Sequence, residues 1–142
     1  MPEAKKILVV DDEEFIRMNI IEYLGSQGYE VFEAASTDEA LDLIRLNPVR
    51  VALVDMRLQG GEGNDLIVKI HEMSPDTVCL VHTGSIDYEI PGYLKDLGLC
   101  PEDIIYKPVE RLRIFKDKIE EALLRHSCRD PEDESGASGE SS

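Results

Sequence analysis

The chain has no tryptophan, only 6% aromatic residues, and three cysteines among its 142 residues. Cys79, Cys100 and Cys128 are odd in number and widely spaced, which argues against a disulfide framework and offers no zinc-ligand spacing. Cations are scarce too: 15 Lys and Arg stand against 30 Asp and Glu, a formal net charge of -15. Such a surface repels nucleic acid and anionic membranes, and no basic patch offsets it locally. No apolar run approaches the roughly 20 residues of a membrane span, and Met1-Pro2-Glu3-Ala4-Lys5-Lys6 does not read as a signal peptide. The expected setting is therefore cytoplasmic, with no membrane partner and no direct nucleic acid partner.

What is present suits a soluble globular domain: 42% hydrophobic and 32% charged residues, in a length that buries a real core. The domain is expected over residues 1–126. Residues 127–142, rich in Asp, Glu, Ser, Gly and Pro, are expected to be a disordered acidic tail or the start of a linker.

Short apolar runs alternate with helical periodicity. Ile7-Leu8-Val9-Val10 ends in Asp11-Asp12, and Val51-Ala52-Leu53-Val54 ends in Asp55. Uninterrupted runs of this length fit strands buried on both faces of a parallel sheet. Further strands are expected at 29–34, 77–81 and 103–106. Between them, Phe15, Ile16, Ile20, Tyr23 and Leu24 mark a first helix, and Ser36-Thr37-Asp38-Glu39 reads as a capping box opening a second. Asn64 is placed as the cap of a third, carrying Leu66, Ile70 and Met73 on one face. Residues 86–97 have a helical distribution that Pro91-Gly92 interrupts, and a fifth helix runs from Val109 with Leu112, Phe115, Ile119, Ala122 and Leu123 as its stripe. Strand and helix alternation predicts an α/β layered fold.

In a parallel sheet, Asp11, Asp12, Asp55, Thr83 and Lys107 all arrive at the carboxyl edge, where such sheets bind ligands. Taken singly, each has a bland reading: acids there also complement a helix dipole, a lone His82 beside a strand end more often packs or caps, and Lys107 could merely pair with the acids. Three close carboxylates raise one another's pKa unless a cation intervenes, and Mg²⁺ suits an all-oxygen site that keeps positions open for phosphate. One carboxylate can then act as a nucleophile toward phosphorus, with Lys107 and the Thr83 hydroxyl stabilising the phosphoryl oxygens.

With these motifs in place the chain resembles, from about residue 5 to about residue 125, the receiver domains of two-component response regulators. The resemblance implies a three-layer flavodoxin-like fold with a five-stranded parallel sheet in the order 2-1-3-4-5 and five helices. It implies Asp55 as the phosphoacceptor, Asp11 and Asp12 as the acidic pair with Asp12 binding metal directly, and Arg57 supplying its backbone carbonyl. Thr83 is then the switch hydroxyl, and Lys107 precedes a cis proline, Pro108. The implied partners are a histidine kinase or phosphotransfer protein and an unidentified downstream protein, with the chain a monomer or a phosphorylation-dependent dimer. Its chemistry is self-phosphorylation and autodephosphorylation rather than turnover of a separate substrate. No basic recognition helix follows, so the chain is expected to act alone or to stop before an output domain.

The chain departs from the family pattern in several places. Gln59 replaces the usual proline of the turn after the phosphoacceptor, Ile104 stands at the switch-aromatic position, and the connector 99–102 is longer than common. Tyr106 is read as lying on the other strand face from Ile104. These features predict intact phosphorylation chemistry with an altered output switch, and Arg57 and Ser85 are expected to tune dephosphorylation. A Mg²⁺-dependent phosphatase with an aspartyl nucleophile is a weaker reading, because Arg57 stands where such enzymes commonly place a second acid. A receiver-like interaction module without a phosphoryl switch is the third.

Overall fold

A computed structural model of the protein describes residues 5–58 and 61–127. Of the tail expected over 127–142, Ser127 is instead the last residue of the final helix; residues 128–142 and Gln59 lie outside the described residues. The elements are β1 (Lys6–Val10), α1 (Glu14–Ser26), β2 (Glu30–Ala34), α2 (Thr37–Leu46), β3 (Val51–Asp55), a two-strand turn of β4 (Arg57–Leu58) and β5 (Gly61–Glu62), and α3 (Gly63–Met73). There follow β6 (Val78–Thr83), α4 (Gly92–Asp96), a 3-10 turn at Pro101–Asp103, β7 (Ile104–Tyr106) and α5 (Arg113–Ser127). Five strands form one parallel sheet in the order β2-β1-β3-β6-β7. With the antiparallel β4-β5 turn set aside, this is the expected order 2-1-3-4-5.

Strand alternation divides the core into two halves. Leu8, Val10, Ala52, Val54, Val81 and Ile104 join Ala40 and Ile44 of α2, Leu66 and Ile70 of α3, and Leu94 of α4. Ile7, Val9, Val51, Leu53, Leu80 and Ile105 join Ile20 and Leu24 of α1 and Phe115, Ile119 and Ala122 of α5. Every residue of β3 is buried, which is why its sequence is an unbroken apolar run rather than an alternating one. Each fully buried aliphatic side chain contributes about 1.5–3 kcal/mol of transfer free energy.

Several local expectations change. Ser36 Oγ accepts from the Glu39 amide at 3.3 Å, while Glu39 Oε1 reaches the Ala35 amide at 2.6 Å, one residue before the strict capping-box partner. Asn64 is not the cap of α3, which begins at Gly63 without a side-chain cap. Phe15 lies outside the buried face of α1, at 78% exposure, because Ile20 and Leu24 fill the space under the helix. The fourth helix shrinks to five residues with Pro91 at its N-cap, since proline has no amide for an interior helix bond and is tolerated only at the start. The fifth begins at Arg113 rather than Val109, leaving Leu112 partly exposed ahead of it. Finally, Tyr106 shares the strand face of Ile104, because residues two apart in a strand point the same way; Ile105 alone faces α5.

Gly63 sets the distance between α3 and the end of β3. A Cβ there would lie 2.4 Å from the Asp55 carbonyl oxygen and 2.9 Å from Met56 Cα, both backbone atoms that cannot rotate away. Gly63→Ala should therefore destabilise the fold by about 1–3 kcal/mol, the usual range for overpacking. Urea unfolding checks this, and a wild-type midpoint would mean that the α3 start is free to shift.

Candidate functional site

The carboxyl ends of β1, β3, β6 and β7 deliver the expected residues to one cleft of about 720 Å³, whose lining includes Asp12, Asp55, Arg57, Thr83 and Lys107. Asp11, buried beside them, completes a group with Asp12 and Asp55 whose ligand oxygens lie within 4.8 Å of one another. Lys107 Nζ sits 3.4 Å from Asp11 Oδ2, 3.4 Å from Asp55 Oδ1 and 3.5 Å from Glu13 Oε1. The Lys107–Pro108 peptide bond is cis.

Local structure explains each placement. Asp11 Oδ1 accepts the Glu13 amide at 2.8 Å, so the bland helix-start role of this acid is real for one of its oxygens. Its Oδ2 has no hydrogen-bond partner among the described residues and meets Lys107 only as an ion pair. The Arg57 amide approaches Asp55 Oδ1 at 3.5 Å, which places the residue beside the acid through its backbone while its side chain is exposed. Thr83 Oγ1 accepts the Ser85 amide at 3.1 Å, and the Lys107 amide donates to the Thr83 carbonyl at 2.7 Å. Thr83 and Lys107 are thus tied across the β6-β7 pair.

Burial and repulsion govern the charges. Desolvation and the neighbouring Asp11 push Asp55 up to about 6, and the pull of Lys107 only partly offsets them. Burial also raises Asp11. The Lys107 ammonium is opposed by desolvation, yet the two aspartates beside it prevail and hold its pKa above the ordinary lysine value. A site with excess buried negative charge and a buried carboxylate oxygen that lacks a hydrogen-bond donor among the described residues fits a hard divalent cation.

Four side chains near the site were not legible as participants. His82, buried at 3% exposure, places Nδ1 3.9 Å from Asp11 Oδ2 and its ring edge-on to Phe115 with centroids 5.1 Å apart. Burial and Lys107 lower its pKa to about 3, so it is neutral. Arg17 donates to the Asp11 carbonyl at 2.6 Å and pairs with Glu33 at 2.8 Å, bracing the β1-α1 loop. Tyr88 and Asn64, both in the cleft lining, are joined by a hydrogen bond of 2.7 Å. His82 was read from the sequence only as a packing or capping residue and Asn64 only as a helix cap, while Arg17 stands out as one basic residue in an acidic helix start.

The fold agrees with that of known proteins. Residues 7–118 match the response regulator receiver domain family, and the chain belongs to that family. It is 35% identical over 117 residues to a cyclic di-GMP phosphodiesterase of Thermotoga maritima, covering 82% of this chain and 30% of that protein; it spans less than a third of that relative's length. Among solved structures, a response regulator receiver domain protein (CheY-like) from Methanospirillum hungatei matches with TM-score 0.79 and 31% identity, covering 90% of this chain and 100% of the other. A response regulator protein from Burkholderia pseudomallei, solved with a phosphorylated aspartic acid, a calcium ion and citrate, matches with TM-score 0.71 and 25% identity over 89% of this chain and 75% of that one. Among the described residues no helix is long and apolar enough to cross a membrane.

The raised pKa of Asp55 has a consequence for stability. Its folded value of about 6 exceeds the ordinary aspartate value of 3.8, so above pH 6 folding holds an ionised carboxylate where a neutral group is preferred. In buffer free of divalent cations, Asp55→Asn should be more stable than wild type by about 1–3 kcal/mol at pH 7. That advantage should shrink as pH falls from 7 to 5, because the wild-type folded state then takes up the proton. Comparing the two proteins removes the opposite contribution of His82, which costs stability over the same range as the unfolded imidazole protonates. Denaturant titrations at both pH values read the difference; a pH-independent gap would contradict the assignment.

Proposed function

We propose that this domain accepts a phosphoryl group on Asp55 from a histidine kinase or phosphotransfer protein and signals through protein contacts, alone or ahead of an output domain. The observation that carries the reading is the Lys107 ammonium 3.4 Å from both Asp11 and Asp55, in the lining of a cleft that also presents Thr83. A Mg²⁺ ion would be held by Asp11, Asp12, Asp55 and the Arg57 carbonyl, and would neutralise charge on the donor's phosphoryl oxygens.

The protein's own residues do the rest. An Asp55 carboxylate oxygen attacks phosphorus as the donor's bond to phosphorus breaks, leaving an acyl phosphate and a released donor that keeps the bonding electrons. Lys107, freed from sharing its charge with Asp55, pairs with a phosphoryl oxygen, and the Thr83 hydroxyl donates to another while still accepting from the Ser85 amide. Hydrolysis by water at phosphorus returns the carboxylate and inorganic phosphate, and Arg57 and Ser85 flank that approach. The phosphorylated aspartic acid and divalent ion in the Burkholderia pseudomallei relative support this reading. The aspartyl phosphatase alternative gains no support, since an arginine stands two residues after Asp55.

Incubation with Mg²⁺ and a small acyl-phosphate donor should add the mass of one phosphoryl group to the protein. The addition should vanish in Asp55→Asn and when Mg²⁺ is chelated. Failure to gain mass with any donor, together with absent Mg²⁺ binding, would sink the reading.

A further inference from the structure

The segment 84–91 between β6 and α4 is long because Pro91 delays the helix to Gly92. It turns at its centre, where the Tyr88 amide donates to the Ser85 carbonyl at 3.2 Å, and its far end is anchored by buried Ile90. From this turn the Tyr88 hydroxyl reaches the first turn of α3 and donates to Asn64 Oδ1 at 2.7 Å. Ser85 and Tyr88 of this segment line the Asp55 cleft together with Glu62 and Asn64 at the start of α3. The bond joins these two parts of the lining over a sequence separation of 24 residues.

We infer that Tyr88 and Asn64 form a latch that holds segment 84–91 across the cleft and so limits the access of phosphodonors and water to Asp55. The inference rests on the phosphoacceptor reading above. It adds two residues that control the rates of the reaction without touching the phosphoryl group, so they are positioning residues. Neither part of the lining is otherwise free to yield: Gly63 packs directly against the Asp55 carbonyl, and Ser85 is held to Thr83. Access therefore depends on the part between Ser85 and Ile90. Burial and the neighbouring Tyr93 push the Tyr88 phenol up to about 12, so it remains a donor at neutral pH. The latch is a neutral hydrogen bond, and its loss changes the open population by about fivefold, the typical net value of one such bond.

A gate changes both directions alike. Phosphorylation from a small acyl phosphate with Mg²⁺, and hydrolysis after donor removal, should each accelerate about fivefold in Tyr88→Phe and in Asn64→Ala. The double variant should be no faster than either single one, because both remove the same bond. The phosphorylated fraction at steady state should stay at the wild-type level. Tyr88→Phe keeps the ring and its packing, and urea unfolding verifies its fold. Unchanged rates, or a change in one direction only, would overturn the inference. Amide hydrogen exchange of the unphosphorylated full chain is a second measurement, independent of the chemistry. Amides in 84–90 should exchange about fivefold faster in Tyr88→Phe while the sheet is unaffected, and unaltered exchange would also overturn it. If wild type accepts no phosphate from any donor, the phosphoacceptor reading fails, and exchange alone decides whether the latch exists.

Discussion

One ammonium group holds together a place where the fold concentrates like charge. Asp11 and Asp55 are both buried, and Asp12 stands beside them at the rim. Lys107, at 3.4 Å from each buried acid, contributes on the order of 5 kcal/mol of attraction per pair at an effective dielectric near 20. Desolvation and the repulsion between the two acids are larger still, because Asp55 remains raised to about 6 despite this partner. The sheet tolerates the excess because its core is apolar on both faces, with β3 buried along its whole length. Stability is thus surrendered locally at the carboxyl edge, and any group that adds positive charge there, or converts a carboxylate into a ligand, is favoured.

The same logic explains what could be read from the sequence. A strand buried on two faces has no polar alternation, so Ile7-Leu8-Val9-Val10 and Val51-Ala52-Leu53-Val54 announce both the sheet and its layering. The acids that end those runs announce the edge. Asp11, Asp12, Asp55, Thr83 and Lys107 were legible because strand ends in a parallel sheet converge by topology alone, without knowledge of side-chain geometry. Arg57 was legible only through the resemblance to a family, since nothing in an arginine's chemistry suggests that its backbone would serve.

Lateral contacts were not legible. Asn64 has a good cap residue's chemistry, yet it is drawn to Tyr88, a partner 24 residues away that no local pattern encodes. His82 lies between Asp11 and Phe115, a pairing fixed by three separate elements. Asp103 was taken as the opening residue of a strand. It is instead fully buried beneath Arg125 and His126 of α5, where burial opposes ionisation but hydrogen bonds from His126, the Cys100 amide and Arg125 keep its pKa below the ordinary value. Such sites are decided by tertiary neighbours, and local propensity yields to them.

The structure also relocates the question of output. Ile104 is buried at 7% exposure beside Leu94, and it carries no ring that could exchange between inward and outward positions. Tyr106, two residues on and on the same strand face, is already half exposed. If Thr83 responds to a charge change at Asp55, two hydrogen-bonded ways lead outward from it. Through Thr83 it reaches Ser85 and segment 84–91, and through the Thr83 carbonyl it reaches the backbone of Lys107, directly after Tyr106. Both begin at the same residue. A shift of Thr83 toward new negative charge would move the strap and the β7 end together, so donor access and the exposed face of β7 would respond as one unit, with no aromatic rotation at position 104.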